Sequence, residues 1–372
     1  MEELYEDVRP KNALEWIAGN VGRILLAVLI PVITFAVLIV VFQWLRDSKA
    51  PKGLITLVAI LWGVGGVAVL YVVFNWLVEQ LPPVWTRRLQ PFIFVGPASA
   101  ILAWYLAIPT VRTFWYSLLD RNSKEFVGLA NYKAVFTERI MLEAFRNNLL
   151  WILFGATSCV VLGLLIAVLA DRSKFETVAK SLIFMPMAIS MVGAGVIWNF
   201  IYAVKDVNSP QIGLLNAIWV ALGGTPQAWT ALVQPWNNLF LIVILIWMQT
   251  GYAMVLFSAA IKGIPTELLE AARVDGANEV QIFFNIMIPY ISGTIVTVST
   301  TILIFTLKIF DIVIVMTGGQ FGTHVIATQF YRQYFTNRNA GFGSAIAIVL
   351  LLLVIPIMVY NLKEFSKQEG FK

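Results

Sequence analysis

The chain has 372 residues but a single cysteine, Cys159, and a single histidine, His324. Those counts exclude a disulfide, a Cys/His zinc site and a thiol–imidazole pair with a histidine to spare. Charge is scarce as well. Asp, Glu, Lys and Arg make up 13% of the residues, against about 25% in typical soluble proteins. Too few remain to coat a water-facing surface of this size. A hydrophobic content of 59% and a mean hydropathy of +0.81 agree, so the sequence reads as an integral membrane protein. No glycine loop ending in Gly-Lys-Ser/Thr is present to cradle nucleotide phosphates, so the chain is not expected to hydrolyse ATP itself, and no cofactor or metal is implied. The formal charge of +5 is scattered between apolar runs rather than gathered into a basic stripe, which removes any case for nucleic acid.

What the sequence does have is a series of charge-poor apolar runs, each long enough for about 20 residues of spanning helix. They cover 24–45, 53–78, 91–111 with a continuation past Arg112 to 119, 147–170, 181–204, 237–261, 290–316 and 339–362. The stretch 207–261 carries no charge at all. Pro210, Gly223-Gly224, Pro226 and Pro235 mark its first half as a loop, with a short helix over 212–222. The expected fold is all-α and polytopic, with eight transmembrane helices and both termini on one side. Lys and Arg are only slightly commoner on the side this arrangement places inside, a weak positive-inside signal for cytoplasmic termini. The acidic start, MEELYEDVRP, lacks the basic opening of a secretory signal. It reads as a polar cytoplasmic segment or an amphipathic helix on the membrane surface.

One polar loop, between the sixth and seventh runs, has a strong local pattern: KGIPTELLEAARVDGANEVQIFFNIMIPYI. Pro265 stops the preceding helix, Thr266 is the expected N-cap, and Glu267 and Glu270 are expected in the first turn, where the helix dipole favours acids. Gly276 sits where a left-handed C-cap belongs, and Asn278 followed by Gln281 resembles a capping box opening the next helix. An ordinary interfacial connector has the same outline. Its order is more particular. Glu270-Ala-Ala-Arg-Val-Asp275-Gly276-Ala, followed by Phe283 and Ile286-Met-Ile-Pro289, resembles the signature loop of binding-protein-dependent ABC importer permeases. The resemblance implies a cytoplasmic coupling helix that docks in a cleft of a separate ATPase subunit, with Glu270, Ala271, Ala272, Arg273, Asp275 and Gly276 as its contact residues.

The resemblance extends over 91–372. FIFVGPASA, MPMAIS, WMQTGYAMVLFSAAIKGIP and LKIFDIVIVMTGG resemble sugar permeases of the maltose type, and 236–316 is most similar to the α-glucoside and glucosylglycerol branch. It implies a six-helix type I permease core over 91–372, with a cytoplasmic segment and two extra helices in 1–90. It also implies a bacterial inner membrane, a homologous second permease, two ATP-binding subunits, an external solute-binding protein, and a substrate of the maltose, sucrose, trehalose or glucosylglycerol class. The connection 120–145 is too short for the large external domain of the maltose permease subunit.

Transporter sites lie near the bilayer midplane, lined by polar residues on otherwise apolar helices. Carried over from the same family, the substrate contacts fall at Met248, Gln249 and Tyr252 in the sixth run and at Phe305, Thr306 and Ile309 in the seventh. Gln249 and Thr306 would bond sugar hydroxyls, and Tyr252 and Phe305 would lie on the apolar face of a pyranose. Interhelical packing accounts for Thr and Gln in spans equally well. Lys308 and Asp311 are opposite charges embedded in one span. They read as an i,i+3 ion pair, or as the proton relay of a different class of protein, a proton-coupled secondary sugar transporter. His324 and the tract 318–339, with Tyr331, Arg332, Tyr334 and Phe335, read as an external loop, either solvated or touching a binding protein.

Overall fold

The computed structural model describes residues 13–79, 83–171 and 173–369; the acidic opening segment, residues 1–12, lies outside them. Among the described residues the regular structure is helical, apart from one isolated antiparallel bridge between Leu119 and Phe126. Packing divides the chain into two units, Met1–Pro109 and Thr110–Lys372.

The first unit contains α1 (Ala13–Asp47), α2 (Lys52–Glu79) and the first part of α3 (Thr86–Ser117). Phe35 of α1 meets Phe74 of α2 edge-on at 6.3 Å, and Tyr71 lies 5.6 Å from Phe94 of α3 while donating to its carbonyl at 2.5 Å. Apart from these seams the apolar side chains face outward; Val64 and Phe92 are each 71% exposed. Such helices are solvated by lipid tails, which are as apolar as Leu.

The second unit holds α4 (Ala130–Thr137), α5 (Arg139–Asp171), α6 (Glu176–Ala188), α7 (Met191–Ile201), α8 (Leu214–Ala221) and α9 (Trp236–Lys262). Then follow α10 (Thr266–Val274), α11 (Glu279–Tyr290), α12 (Ser292–Leu307), α13 (Asp311–Met316), α14 (Ile326–Tyr331) and α15 (Ala340–Glu369). The core is built around α9, whose Leu241, Leu245, Met248, Met254 and Phe257 are all buried. Gly163 of α5 allows the closest approach: a β-carbon there would stand 2.4 Å from that of Ala253. Small residues at such crossings let the backbones touch.

Five described helices are singly long and apolar enough to span a membrane, namely α2, α3, α5, α9 and Ala340–Lys363 of α15; two bent pairs raise the number to seven. The eight spans expected from hydropathy are not each matched by a single straight helix among the described residues. The run 181–204 is two helices meeting at 103°. Pro186 sits in a 3₁₀ turn, Ile189 is extended, and Ser190 restarts the chain as α7 by accepting from the Gly193 amide at 3.0 Å. The run 290–316 starts at one bend and contains one break. α11 and α12 meet at 72° just after Pro289, whose ring removes a helical donor. α12 then ends at Leu307, and Phe310, with φ −139° and ψ −56°, leaves helical geometry before α13 begins.

Candidate functional site

The signature loop forms a short exposed helix, α10, ended by a glycine turn. Pro265, not Thr266, occupies the N-cap, without a side-chain cap, because Thr266 already has helical geometry as the first residue; Glu267 lies in the first turn and Glu270 beyond it. At the other end the Ala277 amide donates to the Ala272 carbonyl at 3.0 Å and the Gly276 amide to that of Arg273 at 3.1 Å. With Gly276 at φ +85°, these bonds form a Schellman cap. Asn278 and Gln281 close the next helix reciprocally, Gln281 N to Asn278 Oδ1 at 2.9 Å and Asn278 N to Gln281 Oε1 at 2.8 Å. Arg273 pairs with Glu279 at 3.0 Å. Leu269, Ala272 and Ala277 pack against the main core, whereas Glu270, Ala271, Arg273, Asp275 and Gly276 face outward. Val274 is 87% exposed beside them. The result is a knob pinned by one apolar edge, with an acidic-and-alanine face turned away.

Five of the six candidate substrate residues fall on two neighbouring helices of one core, α9 and α12, and Ile309 lies in the turn that follows α12. Met248 and Ile309 are buried in that core, and Tyr252 and Phe305 are half-buried against it. Gln249 is half-buried on α9. Thr306 is fully buried, and its hydroxyl donates to the Ile302 carbonyl at 2.8 Å. Ile309 lies past the end of α12, so it does not continue the helical face of Ile302 and Thr306. The expected ion pair between Lys308 and Asp311 does not form among the described residues. The helix ends just before Lys308 and the next begins at Asp311, so the two are not on one continuous helical face; Lys308 is exposed and Asp311 half-buried.

The tract 318–339 is no solvated loop. Its middle is α14, and Val325, Ile326, Thr328 and Gln329 are buried, as is His324. His324 Nε2 lies 3.0 Å from the Arg332 guanidinium and Nδ1 lies 3.2 Å from Thr328 Oγ1. Arginine only donates, so Nε2 accepts and Nδ1 carries the proton. Burial holds this imidazole below its ordinary 6.5; Arg332 acts in the same direction and Glu143 against it. Tyr331, Arg332 and Phe335 remain exposed at the end of this segment. Beside it, Arg139, Leu142, Glu143, Arg146 and Gln234 line a cleft of about 290 Å³. Asn147, Asn148, Asn237 and Asn238 are buried next to the same segment; the first three hydrogen-bond to the backbone of Leu307, Phe321, Gly322, His324 and Ile326, and Asn238 reaches Asn147.

Residues 159–365 match the family described as "Binding-protein-dependent transport system inner membrane component". The chain belongs to that family. The osmoprotective compounds uptake permease protein GgtC of Synechocystis sp. is 52% identical over 280 residues, covering 75% of this chain and all of its own. The alpha-glucoside transport system permease protein AglF of Rhizobium meliloti is 50% identical over 283 residues, 76% of this chain and 84% of its own. In fold, this permease resembles a chain of a bacterial ABC transporter involved in the import of the acidic polysaccharide alginate. The TM-score is 0.65 at 19% identity, covering 77% of this chain and 99% of the other.

Membership makes this permease a multi-pass inner-membrane transport component, and a self-sufficient proton-coupled carrier finds no support. Two groups of residues in the permease escaped sequence reasoning. One is the set of four asparagines, visible only as two Asn-Asn pairs set in apolar runs. The other ties α5, α6 and α9 together close to the knob. Lys180 donates to Asp171, to Glu176 at 2.5 Å and to Ser258, while Lys262, the last residue of α9, reaches Glu176. Its signal was the charge clustered at span ends, which reads from sequence as solvated.

Proposed function

We propose that this permease is one of two transmembrane subunits of an ATP-driven importer for an α-glucoside-type sugar or glycoside of the maltose, sucrose, trehalose or glucosylglycerol class. Two ATPase subunits supply the energy, and an external solute-binding protein delivers the cargo. The observation that carries this reading is the exposed α10 knob. It is closed at its C-terminal end by the Schellman turn, and Glu270, Ala271 and Asp275 face outward from it, with Arg273 paired only locally to Glu279. A small-surfaced helix of this kind suits helix-in-groove recognition, with alanines permitting close approach and Glu270 offering charge to a basic partner residue. The substrate class follows from two relatives of about 50% identity, one named for osmoprotective compounds and one for alpha-glucosides. A delivery partner is supported by the family's description as binding-protein-dependent, and an alginate transporter of like fold has been solved in complex with an alginate pentasaccharide-bound periplasmic protein.

In this scheme residues 91–372 form the six-span core that pairs with the second permease, and 1–90 adds two further spans, the first within α1, which brings the total to eight with both termini cytoplasmic. Gln249, Tyr252, Phe305 and Thr306 hold the sugar, with Met248 and Ile309 behind them. ATPase closure displaces α10, and coupling is the difference in ATPase affinity between two conformations of the permease. The test is Glu270→Lys in the reconstituted assembly, assayed for binding-protein-dependent uptake of the four sugars. Reversing a docked charge should lower uptake by about tenfold or more, with the permease still inserted. Full uptake by this variant rejects the docking assignment.

A further inference from the structure

Asn147, Asn148, Asn237 and Asn238 play no part in that scheme, yet all are within 3% of complete burial. A carboxamide in an apolar interior is costly unless its donors and acceptors are met. For Asn147, Asn148 and Asn237 the partners are backbone groups of the helix end at Leu307 and of the segment 321–326, while the Asn238 amide reaches only its fellow asparagines and its Oδ1 has no partner among the described residues. α12 ends at Leu307, so its last carbonyls lack helical donors. The carbonyl of Leu307 accepts from Asn148 Nδ2 at 3.1 Å. The first amide of α14, that of Ile326, donates to Asn148 Oδ1 at 2.8 Å. The neighbouring Asn147 donates to the carbonyls of Gly322 at 2.7 Å and His324 at 2.8 Å. From α9, Asn238 Nδ2 reaches Asn147 Oδ1 at 3.4 Å, and Asn237 Nδ2 donates to the Phe321 carbonyl at 2.6 Å.

Two consecutive side chains of α5 therefore grip both the broken end of the span that carries Phe305 and Thr306 and the loop that leads to α14. The loop is itself braced, with the Thr317 and Thr323 hydroxyls 2.6 Å apart. The turn beyond Leu307 is braced too, because the Lys308 and Ile309 amides donate to the Phe305 and Thr306 carbonyls. A braced loop bolted to a helix end transmits displacement, where a solvated loop would absorb it.

We propose that Asn147 and Asn148 are positioning residues that join the loop 321–326 and the break after Leu307 into one mechanical unit. A load placed on that loop by the docked binding protein is then felt at Phe305, Thr306 and Ile309. The proposal rests on the importer reading and adds the route by which delivery is sensed.

The complete complex, with partner permease and ATPase subunits in lipid nanodiscs, is assayed for ATP hydrolysis with and without maltose-, trehalose-, sucrose- or glucosylglycerol-loaded binding protein. Asn148→Leu removes both bonds at similar volume, and Asn147→Leu frees the loop. Each should keep basal hydrolysis within about twofold and lower the stimulation by about fivefold or more, the low end of allosteric coupling factors. Asn148→Asp keeps the acceptor for Ile326 and loses the donor to Leu307, so its stimulation should fall in between. A residue that only fills space would change the yield of complex and leave the ratio of stimulated to basal rate unmoved, and that outcome overturns the clamp. If the leucine variants do not assemble, hydrogen exchange on the unaltered complex decides. The amides of Lys308, Ile309 and Ile326 must change protection together when loaded binding protein is added; a change at Ile326 alone overturns the proposal. An unaltered complex that no loaded binding protein stimulates removes the importer reading and the clamp with it. A stimulated one with indifferent variants removes the clamp alone.

Discussion

Gly276 isolates one physical effect. Its φ is +85°, and a β-carbon built there would meet nothing within 4 Å. Any substitution therefore tests backbone conformation rather than packing. For an ordinary L-residue the left-handed conformation costs about 1–2 kcal/mol, equivalent to a factor of about 5–30 in the population of the capped turn. Asn tolerates this conformation, Ala carries the cost, and a β-branched residue carries more. Uptake per assembled complex should rank Gly and Asn first, then Ala, then Val. Leu269 and Ala272 anchor α10 to the core, so insertion and folding of the permease itself should be unaffected. The assay is initial uptake rate in proteoliposomes of matched permease content, paired with hydrogen exchange at the residue 276 and Ala277 amides, which close the cap on Arg273 and Ala272. Equal uptake for Asn, Ala and Val would refute the reasoning, because it would mean that the shape of the turn does not matter to coupling.

Two further outcomes are expected. Gln249→Leu combined with Thr306→Leu removes two hydroxyl partners and should weaken sugar affinity by about tenfold or more; unchanged affinity and selectivity in an intact complex would discard those contacts. His324 is held neutral by burial and by Arg332, so the unfolded loop binds the extra proton more readily than the folded one. Stability around α14 should be full above the ordinary 6.5 and should decline as pH falls toward the lower folded value. Thermal unfolding of the complex measured from about pH 8 to pH 5 checks this. His324→Gln should flatten the profile, and a rise in stability on acidification would contradict the sign.

The knob was legible in the sequence because caps are local chemistry. Asn278 and Gln281 are three residues apart, and Gly276 answers a conformational demand that few other residues meet. The spans were legible as apolar runs, but hydropathy records burial and not direction, so the turn of 103° at Ile189 and Ser190 left no mark beyond Pro186. Lys308 and Asp311 suggested an ion pair only on the assumption of a continuous helix. The helix stops at Leu307, whose carbonyl is capped by Asn148, a residue distant in sequence. The tract 318–339 misled for the same reason. Its glycines, threonines and arginines look solvated until Asn147 and Asn237 are seen to satisfy its backbone inside the protein. Contacts of long range in sequence, made by short uncharged side chains, are the part that local pattern does not encode.

The asparagine pairs also bear on the order in which the molecule can be completed. Synthesis delivers α5 to the bilayer long before residues 321–326 exist. Until they emerge, the carboxamides of Asn147 and Asn148 face a medium that offers them little, and unmet polar groups in hydrocarbon are expensive. Asn237 and Asn238 arrive later and give partial relief, since Asn238 reaches Asn147. A nascent chain halted before Ile326 would thus be stranded with amides open to any passing polar helix, while in the finished chain those of Asn147 and Asn148 are taken up by Gly322, His324, Leu307 and Ile326. The carboxy-terminal quarter is what lets the first half of the bundle come to rest.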